Sequence, residues 1–333
     1  MKRDAMRQRK TALIAAVLTA LMVGAGPACA DSIVVTDYGA APGGFVYAVA
    51  LAKGYFKEEG TNITGVISSQ GGGTSVRNMI AGGAIYGEIN PAAVMSAVQQ
   101  GAKLKIISDN VLLVSDLVWA VKPDSPIKTL ADLKGRKIGY TNPKSSTEGL
   151  TLGLLKYAKL QPSDVEMVKT GGFGEGVAAL DLGIIDVAPI VEPIWARLGS
   201  KYRVLALGKD VLPTLANTVG VTTEAAAEKQ GDMLRRIIRA RRRAVQFLYA
   251  HPDEAGDIVA EAYKIEPDVA RRAVHDLIGD GVGDVPYFGE GNFHPDSLKR
   301  MLDLQIQIGA VQAPADISGI IDEQFLPEDL KSK

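Results

Sequence analysis

Four times along this chain a short strand-like run stops at a loop rich in glycine or hydroxyl residues and a helical pattern follows. That repeated order constrains the fold more than any other feature. Residues 32–36 run into the Gly- and Pro-rich loop 37–44 and then into helical spacing over 45–53. The same order recurs at 62–68 before the glycines 71–73, at 137–140 before 141–147, and at 166–169 before Gly171 and Gly172. Strands that alternate with helices predict parallel sheets covered by helices, the α/β class.

An internal echo sharpens the reading. Gly72, Ile80, Gly83 and Ile85 are matched one hundred residues later by Gly172, Leu180, Gly183 and Ile185. Two copies are too few for a solenoid and indicate two similar α/β lobes. Residues 118–219 read as an inserted second lobe, leaving 31–117 with 220–333 as a discontinuous first lobe. The segments 117–121 and 218–222 are expected to run side by side as hinges. From residue 223 onward the pattern is helical, over 225–249, 252–263, 267–278 and 295–308, with proline opening three of the four near their N-termini. Arg235, Arg236, Arg239, Arg241, Arg242 and Arg243 are expected on a solvated face of the first of these.

The N-terminus describes an export signal. Residues 1–10 carry five Lys or Arg against one Asp, and the uncharged run 11–23 follows. A bilayer span needs about 20 apolar residues, and this run ends at Gly24, Gly26 and Pro27 rather than at a basic cluster. Ala28-Cys29-Ala30 fits a signal peptidase site, so residues 1–30 are expected to be a leader cleaved after Ala30. Lipid attachment at Cys29 is the alternative. Arg7 and Arg9 form no twin-Arg pair, which favours the general secretion route and a periplasmic location. Without the leader no cysteine remains, so neither disulfides nor thiolate chemistry enter the reading. The remaining 32 Lys plus Arg against 37 Asp plus Glu give a formal charge of −5, which does not point to nucleic acid or an anionic membrane.

Several strings now carry a resemblance. They are Lys53-Gly-Tyr-Phe-Lys-Glu-Glu-Gly60, Gly71-Gly-Gly-Thr74, Thr129-Leu-Ala-Asp-Leu-Lys-Gly-Arg-Lys-Ile-Gly139, Gly183-Ile-Ile-Asp186, Glu192-Pro193 and the closing Phe325-Leu-Pro-Glu-Asp-Leu330. In this order and spacing the chain resembles the periplasmic binding proteins of nitrate, sulfonate, taurine and thiamine-precursor importers, the SsuA/TauA and NMT1-like group. Tyr86 departs from the pattern, standing where an acidic residue is common. The resemblance implies a two-lobed type II periplasmic binding protein fold, with hinge-linked parallel-sheet domains and a cleft that closes on a ligand. It implies a monomer that hands a small solute to an ABC permease and its ATPase, with no cofactor and no metal.

Candidate contacts follow from the loops. Gly72 and Gly73 let backbone approach a ligand, and Thr74 is expected to cap a helix over 75–81 whose N–H groups and dipole face a polar or anionic group. Ser145, Ser146 and Thr147 precede a helix and offer the second lobe's hydroxyls; N-capping alone is the plainer reading. Tyr38 and Gly44 lie in the first strand-to-helix loop, where the resemblance and open α/β sheets in general place ligands. Asn90 offers an amide. Asp186 and Glu192, if they reach the cleft, favour an amine, a zwitterion or a donor-rich ring over a simple anion. Arg77 is read as facing solvent, and Trp119 as packing at the lobe junction.

Two other functions stand beside capture for import. One is a sensor that signals to a receptor; the other is an enzyme similar to the pyrimidine-precursor synthases. The cysteine-rich motif of the latter is absent, the three histidines His251, His275 and His294 all fall in the C-terminal part, and no G-x-S-x-G elbow occurs.

Overall fold

The computed structural model describes residues 31–279 and 281–332. The leader, its cleavage after Ala30 and Cys29 lie outside the described residues.

The chain opens with β1 (Asp31–Thr36), α1 (Phe45–Ala52), α2 (Tyr55–Glu58), β2 (Ile63–Ser69), α3 (Gly72–Gly82), β3 (Gly87–Ile89), α4 (Pro91–Gln99) and β4 (Leu104–Val111). A second group follows, β5 (Val118–Val121), β6 (Lys137–Tyr140), α5 (Ser146–Tyr157), β7 (Glu166–Lys169), α6 (Phe173–Asp181), β8 (Ala188–Ile190), α7 (Ile194–Leu198), β9 (Arg203–Leu207) and α8 (Gly208–Val211). Then come β10 (Thr218–Thr223), α9 (Glu224–Lys229), α10 (Gly231–Ala250), α11 (Pro252–Tyr263), α12 (Pro267–Gly279), β11 (Phe288–Gly291) and α13 (Pro295–Gln307).

The first lobe is built on a six-stranded sheet in the order β11-β4-β10-β3-β1-β2. Residues that alternate along a strand point to opposite faces. Ile33 and Val35 accordingly join Phe45, Ile237 and Val259 in one core, while Val34 joins Met79, Val94 and Leu302 in another. Burial on both faces explains why β1 reads as a continuous apolar run. The second lobe repeats the plan: β8-β5-β9 and β6-β7 are joined where the Gly139 amide donates to Val187 O at 2.8 Å. Trp119 and Val121 face one core there and Val118 and Ala120 the other.

The hundred-residue echo corresponds to equivalent units. Gly71 (φ 74°) and Gly171 (φ 103°) precede α3 and α6, and Gly83 (φ 66°) and Gly183 (φ 70°) follow them in the left-handed region that favours glycine. Parallel pairing holds for β1 with β2 and β3 and for β6 with β7. The chain's return strand makes the larger sheet mixed, since β10 lies antiparallel between β3 and β4.

Three expectations are corrected. The proposed hinge segments do not run side by side: β5 pairs with β8 and β9, whereas Thr218 and Val219 already pair in the first sheet, two residues before the expected return. The crossings lie earlier and later, where the Gly208 amide donates to Leu117 O at 2.7 Å and the Asn217 amide to Val111 O at 2.8 Å. The helix expected over 225–249 is broken at Gln230, whose φ of −130° is not helical. Arg241 faces inward, 1% exposed, although its neighbours Arg239, Arg242 and Arg243 pair with surface acids as a solvated face would. Trp119 is fully buried, its indole N–H 3.4 Å from Thr151 Oγ1.

Candidate functional site

A cleft of about 710 Å3 lies between the two sheets. Its walls are the loops at the carboxyl ends of β1, β2, β3, β6 and β7, where open α/β sheets bind ligands. Four helices of nine or more residues, α3 and α4 from the first lobe and α5 and α6 from the second, begin on this lining. The first-turn N–H groups of a helix have no partner within it and carry the positive end of its dipole. The arrangement therefore presents donors to a solute from both sides.

Of the residues singled out in the sequence, Gly72, Gly73, Thr74, Asn90, Ser145, Ser146 and Thr147 line this cleft. Their roles differ in detail from the expectation. Helix α3 begins at Gly72 with Gly71 as its cap, so Thr74 sits inside the first turn, and its hydroxyl accepts from Arg77 Nη2 at 3.0 Å. Asn90 caps α4 by accepting from the Ala92 amide at 2.9 Å, and its Nδ2 donates to Asn217 O at 3.0 Å. Ser145 caps α5, accepting from the Glu148 amide at 3.3 Å. Thr147 is buried; its Oγ1 accepts from the Thr141 amide at 3.0 Å and lies 2.8 Å from Thr141 Oγ1. These hydroxyls shape the loop as well as line it.

Tyr38, Gly44, Asp186 and Glu192 do not line the cleft. Tyr38 turns its ring edge onto Tyr263, centroids 5.3 Å apart, because the apolar ring finds cover there; burial pushes its hydroxyl pKa up. Gly44 is buried behind these two rings, and any side chain there would overlap them. Asp186 accepts from the Lys137 amide at 2.8 Å, at the start of β6, whereas the cleft lies at that strand's other end. Glu192 is 2% exposed and accepts from the Ala196 amide at 2.9 Å in the first turn of α7. Its neighbours Val191 and Ile194 line the cleft in its place.

Other lining residues carried no signal, or a misleading one. Arg77 is exposed but faces the cleft. Asp37, Asp116, Asn142, Lys144, Glu175, Asn217 and Thr218 also contribute polar groups. Asp37 adopts a left-handed φ of 53° and accepts from the Gly71 amide at 3.3 Å. Burial raises its carboxyl pKa, opposed by that bond. Asn142 and Lys144 lay in a loop already marked by its hydroxyls, but Asp116 and Thr218 are brought to the cleft only by the two crossings.

Among the described residues the lining holds no cysteine and no histidine, and no group of three or more His, Cys, Asp or Glu is placed to hold a metal ion. No helix among them is long and apolar enough to cross a membrane.

Known proteins share both sequence and fold. The riboflavin-binding protein RibY of Chloroflexus aurantiacus is 24% identical over 84% of this chain and 82% of its own. The crystal structure of the periplasmic aliphatic sulphonate binding protein SsuA from Escherichia coli superposes with a TM-score of 0.74 over 91% of this chain and 94% of that one, at 20% identity. The desulfurization enzyme DSZB shares the fold at a TM-score of 0.62 and 15% identity, covering 89% of this chain and 97% of its own. Proteins named as binding proteins and a protein named as an enzyme thus share this architecture. The NMT1/THI5 like family profile matches residues 44–255, well over half of the chain. The two-lobed protein described here belongs to the NMT1/THI5 like family.

Proposed function

We propose that the chain is the solute-capturing component of an ABC importer, exported to the periplasm by residues 1–30. It holds a small organic solute, a sulfonate, carboxylate or nitrogen-containing compound, between its lobes and delivers it to a permease and its ATPase. The first lobe comprises residues 31–117 with those from 218 onward, and the second the residues between. The observation that carries this reading is the convergence of four helix N-termini, two from each lobe, on one cleft. A ligand touching both walls favours the closed arrangement by its differential contacts with the two states. Tyr38 and Gly44 support the wall from behind, and Asp186 and Glu192 hold the second lobe's local structure.

The test is a thermal-shift screen of residues 31–333 against nitrate, alkyl sulfonates, taurine, aromatic carboxylates, polyamines and thiamine-type pyrimidines. A ligand that binds only the folded state adds about 2.7 kcal/mol at a hundredfold excess over its Kd. Stabilisation by one class, returned intact from the protein after denaturation, is the expected result. Turnover of the ligand, or no shift with any class, would sink the reading. With the identified ligand, Thr74→Ala should weaken binding far more than it lowers Tm; unchanged affinity would remove the Gly-Gly-Thr loop from the site.

A further inference from the structure

Beneath the cleft floor lies a buried ion pair that the capture reading does not use. Glu88 on β3 and Arg241 on α10 have side chains 1% and 2% exposed, with Nε 3.5 Å from Oε2. Arg241 also donates to Gly289 O at 2.6 Å and Asn110 O at 2.9 Å. Asn110 Nδ2 donates to Glu88 Oε2 at 3.1 Å. The other carboxylate oxygen, Oε1, receives the hydroxyl of Thr218 at 2.7 Å. Thr218 lines the cleft. Gly43, also on the lining, lacks a Cβ that would stand 3.2 Å from the same oxygen.

A threonine hydroxyl has one proton and two lone pairs. A carboxylate paired with arginine only accepts, so the proton of Thr218 is committed to Glu88. What the side chain has left for the cleft is acceptor capacity. The lining also carries the carboxyl groups of Asp37, Asp116 and Glu175, while its donors include the helix starts, Arg77, Lys144 and the side-chain amides of Gln70 and Asn142. A site built to accept a solute's hydrogen bond rejects an analogue without the donor, because its own acceptor is then left unpaired.

We propose that Thr218 is a specificity-determining residue. Its hydroxyl, fixed as an acceptor by the Glu88–Arg241 pair, selects a solute that brings an N–H donor, on an amine or an amino-substituted ring, to the cleft floor. Glu88 is the positioning residue behind it. The inference rests on the capture reading and deepens it by naming a chemical feature of the solute.

Isothermal titration of residues 31–333 with matched pairs tests it: taurine and ethanesulfonate, 4-aminobutyrate and butyrate, 4-amino-2-methylpyrimidine and 2-methylpyrimidine. In at least one pair the amino compound should bind about tenfold or more tightly than its partner. Thr218→Val should abolish that preference by weakening the amino compound about tenfold or more beyond any change in its desamino partner, and Thr218→Ser should retain it. A purely structural Thr218 would change Tm but not the ratio, so an equal preference in wild type and Thr218→Val overturns the proposal. Desamino compounds binding as tightly as amino ones in the wild type overturn it too, while leaving capture standing. No binding by any compound overturns both.

Discussion

Replacing Arg241 by methionine keeps most of the side chain's volume and removes every polar contact it makes. Glu88, 1% exposed, loses its cationic partner, and the carbonyls of Gly289 and Asn110 lose donors at 2.6 and 2.9 Å. Breaking a buried ion pair from one side costs about 3 to 5 kcal/mol, and each abandoned buried acceptor adds roughly 1 kcal/mol or more before relaxation. A loss of about 5 kcal/mol is therefore expected, a large share of the usual stability of roughly 5 to 15 kcal/mol. At about 2 to 4 °C per kcal/mol for domains of 150 to 250 residues, Tm should fall by roughly 10 to 20 °C. Urea unfolding followed by circular dichroism measures the difference. Removing both charges, Glu88→Gln with Arg241→Met, should recover about half of the loss, since an unpaired charge costs more than an absent pair. A single variant that loses less than about 1 kcal/mol, or a double variant no better than the single, would refute the view that this pair is a mutually dependent buried unit.

Two further outcomes follow. Ser145→Ala removes the cap of α5 and should cost about 1 kcal/mol in urea unfolding; no loss would mean that the 3.3 Å contact to the Glu148 amide contributes nothing. Asp109, fully buried, has its carboxyl pKa raised by burial, opposed by its bonds to His294. A folded-state pKa above the unfolded one gives stability that is complete below the ordinary value of 3.8 and lost as pH rises through the folded value. Asp109→Asn should therefore gain on the wild type as pH rises from the acid range to neutrality. A stability difference independent of pH would show that Asp109 titrates alike in both states.

Much of the site was legible because backbone chemistry announces itself locally. The loops at Gly71–Gly73 and Ser145–Thr147 mark helix starts whatever surrounds them, and both reached the cleft. Asp186 misled because its sequence neighbourhood says nothing about which end of a strand it flanks, and Glu192 because a buried cap and a ligand contact need the same residue type. Arg241 was hidden in a basic run, where one residue in six turns inward and no local pattern distinguishes it.

The α/β class, the doubled strand–loop–helix unit and the glycine-marked helix starts can be read from the residues alone, because periodicity, capping and left-handed turns are set by residues near one another in the chain. The return of β10 between β3 and β4, the meeting of Thr218 with Glu88 across 130 residues at 2.7 Å, and the arrival of Asp116 at the cleft emerge only in the folded chain. Those contacts depend on where a distant segment inserts into a sheet, and the energy that fixes it is spread over two hydrophobic cores rather than written at any one position.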